Sequence, residues 1–437
     1  MKVVIIGNHA AGLTAAEILR KDDKKIDITM ISIENTPPYS RCLISDIISG
    51  KKKLNDILFK DENFYIKNKI NTVFGKKAIK VIPEKNEVIL EDNMKLSYDK
   101  LIIATGADST LPDIPGINKA GIFCLRTDKD AEEIKEYCSH VKNAVVLGGG
   151  LVGIKAAIAL CKAGKNTTLI VSSSSILSQI ISSEEAGIIE DNLKIAGINF
   201  LKNTKVVEIL GNNRVEGIKT SDNNKLDCEL IIAAKGVKAN FDLIKDTKIK
   251  TEYGILIDDH CMTNIDNIYA AGDVAQSRDD IRNENWMNSI WPLAVEEGKI
   301  AAENILGKET KLRERTSMNA FNFFNTWLVS CGLTGLRENM ENAERFFIKD
   351  KEGKNYKKFI FKDNKLIGYA LLGNILNAGV LTLLIRKKIN LLKVKDQILS
   401  GEYDFSSLMP CMLDNKECFT EPEFIEIFKS IQKTNIK

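Results

Sequence analysis

Residues 2–17 read KVVIIGNHAAGLTAAE, and this stretch decides the fold. Residues 3–6 are a short apolar, β-branched run of the kind that makes a buried parallel strand, and Gly7 bounds it. Ala11, Gly12, Ala15 and Ala16 then open a helix whose small residues let it lie close to that strand. Gly7 and Gly12 stand where the first and third glycines of a GxGxxG turn stand, so the turn is tight and the helix N-terminus is set to receive a pyrophosphate. His9 replaces the middle glycine. Such a turn either serves a nucleotide or merely joins two elements, and the rest of the chain decides which.

Working outward, residues 26–33 alternate apolar with polar side chains and predict the second strand of a βαβ unit. The strand ends at Glu34, 22 residues beyond Gly12, where an acid that binds a ribose is expected; the plainer reading is a solvated surface Glu. Residues 36–50 begin with a Pro-Pro turn and predict a short amphipathic helix carrying Leu43, Ile44, Ile47 and Ile48. Residues 76–90, split by Pro83 and Asn86, predict a β-hairpin. Residues 98–106, YDKLIIATG, predict a buried strand that stops at Thr105-Gly106. Pro112, Pro115 and Gly116 mark a linker, and a polar helix follows near 128–137.

The opening pattern then recurs. Residues 144–147 predict a strand, Gly148, Gly150 and Gly153 complete GGGLVG, and an Ala-rich helix runs over 154–163 before a strand at 167–171. Two such turns, 141 residues apart from Gly7 to Gly148, are far more specific than either alone. A chain that binds two dinucleotides usually moves electrons between them. A further strand at 230–234 ends in AKGVKAN with Gly236, another at 253–257 leads to TNIDNIYAAGDVA (263–275), and a helix covers 289–306. From about Lys311 the alternation at 345–348, 356–361 and 366–372 predicts an antiparallel meander, with helices near 379–389 and 392–399.

A chain of 437 residues exceeds what one core holds, so two or three domains are expected. The 62 basic and 59 acidic residues leave +3, too balanced for a nucleic-acid or anionic-membrane partner; a metabolite or a protein is expected instead. No leader precedes the first strand, and no uncharged apolar run reaches the ~18 residues of a membrane span, which predicts a cytoplasmic protein. Nine scattered cysteines without a CxxC pair argue against a disulfide framework and against a thiolate metal site.

Four motifs in order, GNHAAG, LIIATGA, GGGLVG and NIYAAGDVA, resemble over residues 1–335 those of the FAD-dependent pyridine-nucleotide oxidoreductases. The resemblance implies an α/β fold of two Rossmann-like domains plus a C-terminal α+β interface domain. The FAD domain would be 1–115 with 240–310, the inserted NAD(P) domain 116–239, and the interface domain, commonly a homodimer contact, 311–437. By the same resemblance Gly7, Ala11, Gly12 and Glu34 hold the ADP half of FAD, and Arg41 is a further cofactor-binding residue. Thr105 and Gly106 pack near the flavin, Arg126 and Trp291 border it, and Asp273 bonds the ribityl hydroxyls or, more blandly, caps a helix. Gly148, Gly150, Gly153, Lys155 and Gly236 fall to the nicotinamide side.

Within this family Cys42 occupies the redox-cysteine position, but Ile47 stands where a C-x4-C partner would be. That leaves the single-cysteine branch (NADH oxidases and peroxidases, coenzyme A-disulfide reductases) and the branch without a redox cysteine (rubredoxin and ferredoxin reductases, the FAD part of nitrite reductases). The segment PPYSRCLIS resembles the second. A reactive Cys42 would draw on a helix N-terminus and on Arg41 to favour its thiolate; otherwise it is a packing residue. His9 is either an acid or base beside the flavin or a tolerated neighbour of the pyrophosphate. Val171 fills the slot where Glu marks NADH, and residues 172–175 lack the arginines that mark a 2′-phosphate, so NADH is favoured and NADPH is not excluded.

The expected reaction is hydride transfer from NAD(P)H to FAD, then electron delivery to a second acceptor. That acceptor is a rubredoxin- or ferredoxin-like protein, a partner enzyme, or oxygen, peroxide or a disulfide through Cys42. Lys155 and Val171 keep open an alternative, an accessory electron-transfer flavoprotein subunit with a degenerate nicotinamide site.

Overall fold

The computed structural model describes residues 1–61, 63–313, 315–324, 326–335 and 341–434. They form two compact units, one of Met1–Ile176, Leu193–Asp279 and Asn283–Arg313, the other of Leu177–Asn192, Asp280–Arg282 and Glu314–Lys437.

The first unit contains two five-stranded parallel sheets built alike. In one the order is Ile268–Ala270, Lys100–Ile103, Lys2–Ile6, Asp27–Ser32, Ile70–Phe74. In the other it is Asn199–Leu201, Asn166–Ile170, Asn143–Leu147, Leu230–Ala233, Ile122–Phe123. The central strands are apolar at every position after the first because both their faces are covered: Val3 and Ile5 pack into one core, Val4 and Ile6 into another. Helix Ala10–Asp22 follows the first strand and packs on helix Trp291–Ile305. Gly298 makes that contact possible, since a Cβ there would fall 2.2 Å from the Ala11 carbonyl oxygen. Helix Leu151–Lys162 is its counterpart on the second sheet. An antiparallel pair, Ala107–Ser109 with Val237–Ala239, joins the two halves.

Around this frame the expected hairpin forms from Ala78–Ile82 and Glu87–Leu90, with Asn86 left-handed at the turn and a third strand, Lys95–Ser97, added. The short helix expected after the Pro-Pro turn of 36–50 is there in two pieces. A bridge from Tyr39 to Leu58 holds the start of the segment extended, which leaves only a 3-10 turn at Arg41–Leu43 and a single helical turn at Ser45–Ile48. The strand expected at 253–257 contracts to Ile255–Leu256.

The second unit carries an antiparallel sheet in the order Met318–Phe323, Thr326–Gly332, Lys365–Leu372, Tyr356–Lys362, Glu344–Lys349. The meander is there, extended by two strands that its sequence pattern does not announce. Helices Ala378–Lys387, Lys395–Ser400 and Met409–Asp414 enclose a core with Phe359, Phe361 and Tyr369 of the sheet. Among the described residues no helix is long and apolar enough to cross a membrane.

Candidate functional site

The two βα turns share a design. A Cβ on Gly7 (φ +129°) would lie 2.0 Å from the Ala104 carbonyl oxygen, and one on Gly12 would lie 2.0 Å from the Gly7 carbonyl oxygen. In the second turn a Cβ on Gly148 (φ +123°) would lie 2.2 Å from the Ala234 oxygen, and one on Gly153 would lie 1.9 Å from the Gly148 oxygen. The outer glycines are therefore demanded by strand–helix contact within the chain. The middle position is different: His9 and Gly150 both have ordinary negative φ, and a Cβ on Gly150 would meet nothing within 4 Å. Neither helix has a side-chain cap or an acidic residue in its first turn, so the amides that begin each helix are left for an anion.

Beside the first turn the side chains form one connected network. Glu34 accepts hydrogen bonds from Arg41 Nη2 on Oε1 and from Tyr39 Oη on Oε2, the latter at 2.5 Å, and His9 Nε2 lies 3.4 Å from Oε1. Burial opposes ionisation of this carboxyl, but His9, Arg41 and Tyr39 outweigh it and hold the pKa at about 2. Arg41 Nη1 donates to the Arg126 carbonyl oxygen at 2.6 Å, and Arg126 Nη2 pairs with Asp273 Oδ2 at 2.8 Å. The chain of contacts thus runs from Glu34 to Asp273, the two acids expected on opposite halves of a bound FAD. Asp273 lies in a turn with no helix beginning there, which removes the capping alternative.

Tyr39 and Asp130 belong to this network and were not singled out by the sequence. Tyr39 Oη also accepts from the Asp128 amide at 3.0 Å, and Asp130 Oδ2 accepts from the amides of Arg126 and Thr127, each at 2.8 Å. The available signal for Tyr39 is the PPYSRCLIS segment, whose turn and resemblance say nothing of what the tyrosine hydroxyl bonds.

Two atoms of the network are buried without a partner, His9 Nδ1 and Arg126 Nε. Burial pushes the His9 imidazole below its ordinary pKa, against the pull of Glu34, so the ring is neutral with Nε2–H toward Glu34 and Nδ1 an acceptor. One orphaned acceptor and one orphaned donor beside an uncapped helix suit a ligand that carries both hydroxyl groups and phosphates. FAD fits that description. On the other side of the turn, Ala10, Ala11, Ala271 and Ala294 form a patch of small side chains, with Trp291 packed against it and edge-on to Phe59 at 5.1 Å. Thr105 Oγ1 donates to the Asn240 carbonyl at 2.5 Å and the Asn240 amide to the Gly106 carbonyl at 2.9 Å, which ties the Thr105-Gly106 turn to the segment after Gly236.

Cys42 is exposed. The two influences expected to favour its thiolate are directed elsewhere: Arg41 is paired with Glu34, and Cys42 sits in a three-residue 3-10 turn rather than at the start of a long helix. Ile47 is fully buried. Lys155, on the nicotinamide-side helix, donates to the Cys42 carbonyl oxygen at 2.6 Å, and burial lowers its pKa.

Residues 1–298 match the pyridine nucleotide-disulphide oxidoreductase family, and residues 318–389 match the rubredoxin NAD+ reductase C-terminal domain. The chain belongs to the pyridine nucleotide-disulphide oxidoreductase family, whose members are FAD- and NAD(P)H-dependent oxidoreductases. Among individual proteins, it is similar to the NADH-rubredoxin oxidoreductase of Clostridium acetobutylicum, 31% identical over 86% of this chain and 91% of that protein. A crystal structure of NADH:rubredoxin oxidoreductase from that organism has a TM-score of 0.74 at 28% identity, covering 92% of this chain and 99% of the other. The chain is also similar to the NADH-dependent phenylglyoxylate dehydrogenase subunit epsilon of Aromatoleum evansii, 29% identical over 92% of this chain and 95% of that subunit. The assimilatory nitrate reductase electron transfer subunit of Bacillus subtilis is 29% identical over 92% of this chain, but the chain spans only 51% of that relative's length.

Proposed function

We propose that this chain is an NAD(P)H:acceptor oxidoreductase that hands electrons to a small redox protein or to a partner enzyme. The observation that carries the reading is the network from Glu34 through Arg41 and Arg126 to Asp273, laid beside one glycine turn while a second turn of the same construction stands in the same unit. In this reading residues 1–115 and 240–310 bind FAD, residues 116–239 bind the nicotinamide dinucleotide, and 311–437 form the interface domain of a homodimer. FAD, when bound, supplies a carrier that takes two electrons together and can release them singly.

The chain's own residues hold and align. The amides at the start of helix Ala10–Asp22 receive one pyrophosphate and those at the start of Leu151–Lys162 the other. Glu34, ionised at neutral pH, accepts from ribose hydroxyls; Asp273 accepts from the ribityl chain, and Arg126 balances its charge. Lys155 ties the nicotinamide-side helix to the backbone at Cys42, which supports a working second site over a degenerate one. The protein-acceptor reading is favoured over Cys42 chemistry by the engagement of Arg41, the cation expected to serve the exposed thiol, with Glu34. The match of 318–389 to a rubredoxin reductase domain supports the same choice.

Anaerobic rapid mixing of the FAD-loaded protein with NADH or NADPH tests the first half: loss of the flavin's visible absorbance is expected, and its absence with both sinks the enzyme reading. For the second half, Cys42→Ser is expected to leave turnover with a rubredoxin or ferredoxin acceptor unchanged. A variant that loses it would restore the thiol mechanism.

A further inference from the structure

Outside the network described above, one cavity brings cations together. It lies at the C-terminal ends of the second sheet, has a volume of about 200 Å³, and is lined among others by Leu147, Ile170, Ser172, Lys205 and Lys235. Leu147 immediately precedes Gly148, and Ile170 ends the second strand of the βαβ unit. In such a unit the ribose of the adenosine half lies just beyond the second strand. The cavity therefore occupies the adenosine end of the second dinucleotide turn, not its pyrophosphate end, which belongs to residues 148–153 and the helix behind them.

The chemistry of the lining is one-sided. A dinucleotide with a free 2′-hydroxyl is met at this place by a carboxylate, but Val171 is buried, Ser172 is the residue presented, and no Asp or Glu lines the cavity. Lys205 enters ahead of strand Val206–Leu210, and Lys235 follows strand Leu230–Ala233. They are 30 positions apart in sequence and meet only in the fold. Both are exposed, and their known hydrogen bonds are made by backbone atoms. The Lys235 ammonium is held below the ordinary lysine range by partial burial first and by the like charge of Lys205 next. Two neighbouring cations without an anion repel each other, an arrangement that a dianion relieves.

We propose that Lys205 and Lys235 receive the 2′-phosphate of NADPH in this cavity, so that the chain prefers NADPH to NADH. The inference rests on reading residues 148–153 as the nicotinamide dinucleotide turn. It reverses the expectation drawn from residues 172–175, because the cations arrive from two other loops.

The test separates this inference from the reading beneath it. Calorimetry on the full-length FAD-loaded protein compares 2′,5′-ADP, 3′,5′-ADP and 5′-AMP, and steady-state kinetics compare NADPH with NADH, in the wild type and in Lys205→Gln, Lys235→Gln, the double variant and the double Lys→Arg variant. The 2′,5′ isomer is expected to bind at least about tenfold tighter than 5′-AMP, with the advantage lost in the double Gln variant and kept in the Arg variant. The KM for NADPH rises with that loss while the KM for NADH stays within about twofold. Equal binding of 2′,5′-ADP and 5′-AMP overturns the proposal. So does 3′,5′-ADP binding as tightly as 2′,5′-ADP, which would assign the cavity to a different phosphorylated adenosine. If 2′,5′-ADP binds tightly and both lysines matter, yet neither nicotinamide reduces the flavin, the anion site stands and the oxidoreductase reading falls.

Discussion

The turn at residues 7–12 and the turn at residues 148–153 are the same backbone device used in two ways. Both need their outer glycines because helix and strand touch there, with the added Cβ falling about 2 Å from a carbonyl oxygen in each case. They part at the middle position. Gly150 opens onto empty space, whereas His9 fills the corresponding place and is drawn into a network with Glu34, Tyr39 and Arg41. The first turn is thus braced by side chains that hold one another, as suits a cofactor that stays. Around the second the ribose position has no such bracing, only a cavity and two lysines, as suits a substrate that enters and leaves. Outer glycines report on folding; the middle residue reports on what the turn holds.

The largest effects should come from the outer glycines. Gly12→Val and Gly153→Val each force a side chain into a carbonyl oxygen, with an expected loss of more than about 3 kcal/mol. Thermal unfolding measures that loss, and the flavin content of the purified protein separates the turns. Gly12→Val should arrive without flavin, while whatever Gly153→Val folds should keep it and fail to be reduced by NAD(P)H. Equal flavin loss in both variants would break the division of labour.

Next comes Glu34, which has no counterpart in the second turn. Its carboxyl falls from an ordinary 4.5 to about 2 on folding. A folded pKa below the unfolded one contributes stability that is complete above the unfolded value and disappears as pH falls through the folded one, here between about pH 4.5 and 2. At about 1.4 kcal/mol per unit the contribution is about 3 kcal/mol at neutral pH. Glu34→Gln should therefore lower stability at pH 7 by an amount of that order, and the gap to wild type should close as the pH is lowered toward 2. A gap that stays constant with pH would mean that the network is held by packing rather than by charge.

The difference between the turns also explains what could be read from the sequence. The β-branched runs and the glycine spacing are local, and they announce both parallel sheets; Glu34 stands just beyond the second strand of the first, as its distance from Gly12 implies. The strands Met318–Phe323 and Thr326–Gly332 escaped because their connection carries no glycine or proline signal; Phe324 itself takes the positive φ, at 54°. The Pro-Pro turn and the short helix after it are local and legible, but the Tyr39–Leu58 bridge that holds the start of that segment extended is a tertiary fact. Arg41 is legible as a cofactor-side cation next to Cys42, but its acceptors, Glu34 and the Arg126 carbonyl, are 7 and 85 positions away. Lys205 and Lys235 were illegible for the same reason. They lie outside residues 172–175 and enter from two later loops.

The smallest effects, and the sharpest, come from exchanging the middle residues. His9→Gly removes a contact of 3.4 Å with Glu34 and should cost no more than about 1 kcal/mol near pH 7, with FAD still bound. It should also flatten one pH dependence. Because the folded pKa of His9 lies below its ordinary 6.5, the unfolded chain binds more protons in the interval beneath 6.5, and the wild type loses stability there as pH falls. The glycine variant should not, a difference that denaturant titrations at pH 7.5 and about pH 5.5 would expose. The reciprocal Gly150→His meets no steric objection, since φ is −80° and the space beyond is open, so its unfolding midpoint should move by less than about 0.5 kcal/mol. Its KM for the nicotinamide dinucleotide should nevertheless rise at least about tenfold, because Val171 offers no carboxylate to hold the added ring aside as Glu34 holds His9, and the ring is left where a pyrophosphate must approach the helix amides. An unchanged KM in a stably folded Gly150→His protein would show that the open space at Gly150 is not a ligand position, and the contrast between the two turns would then reduce to packing.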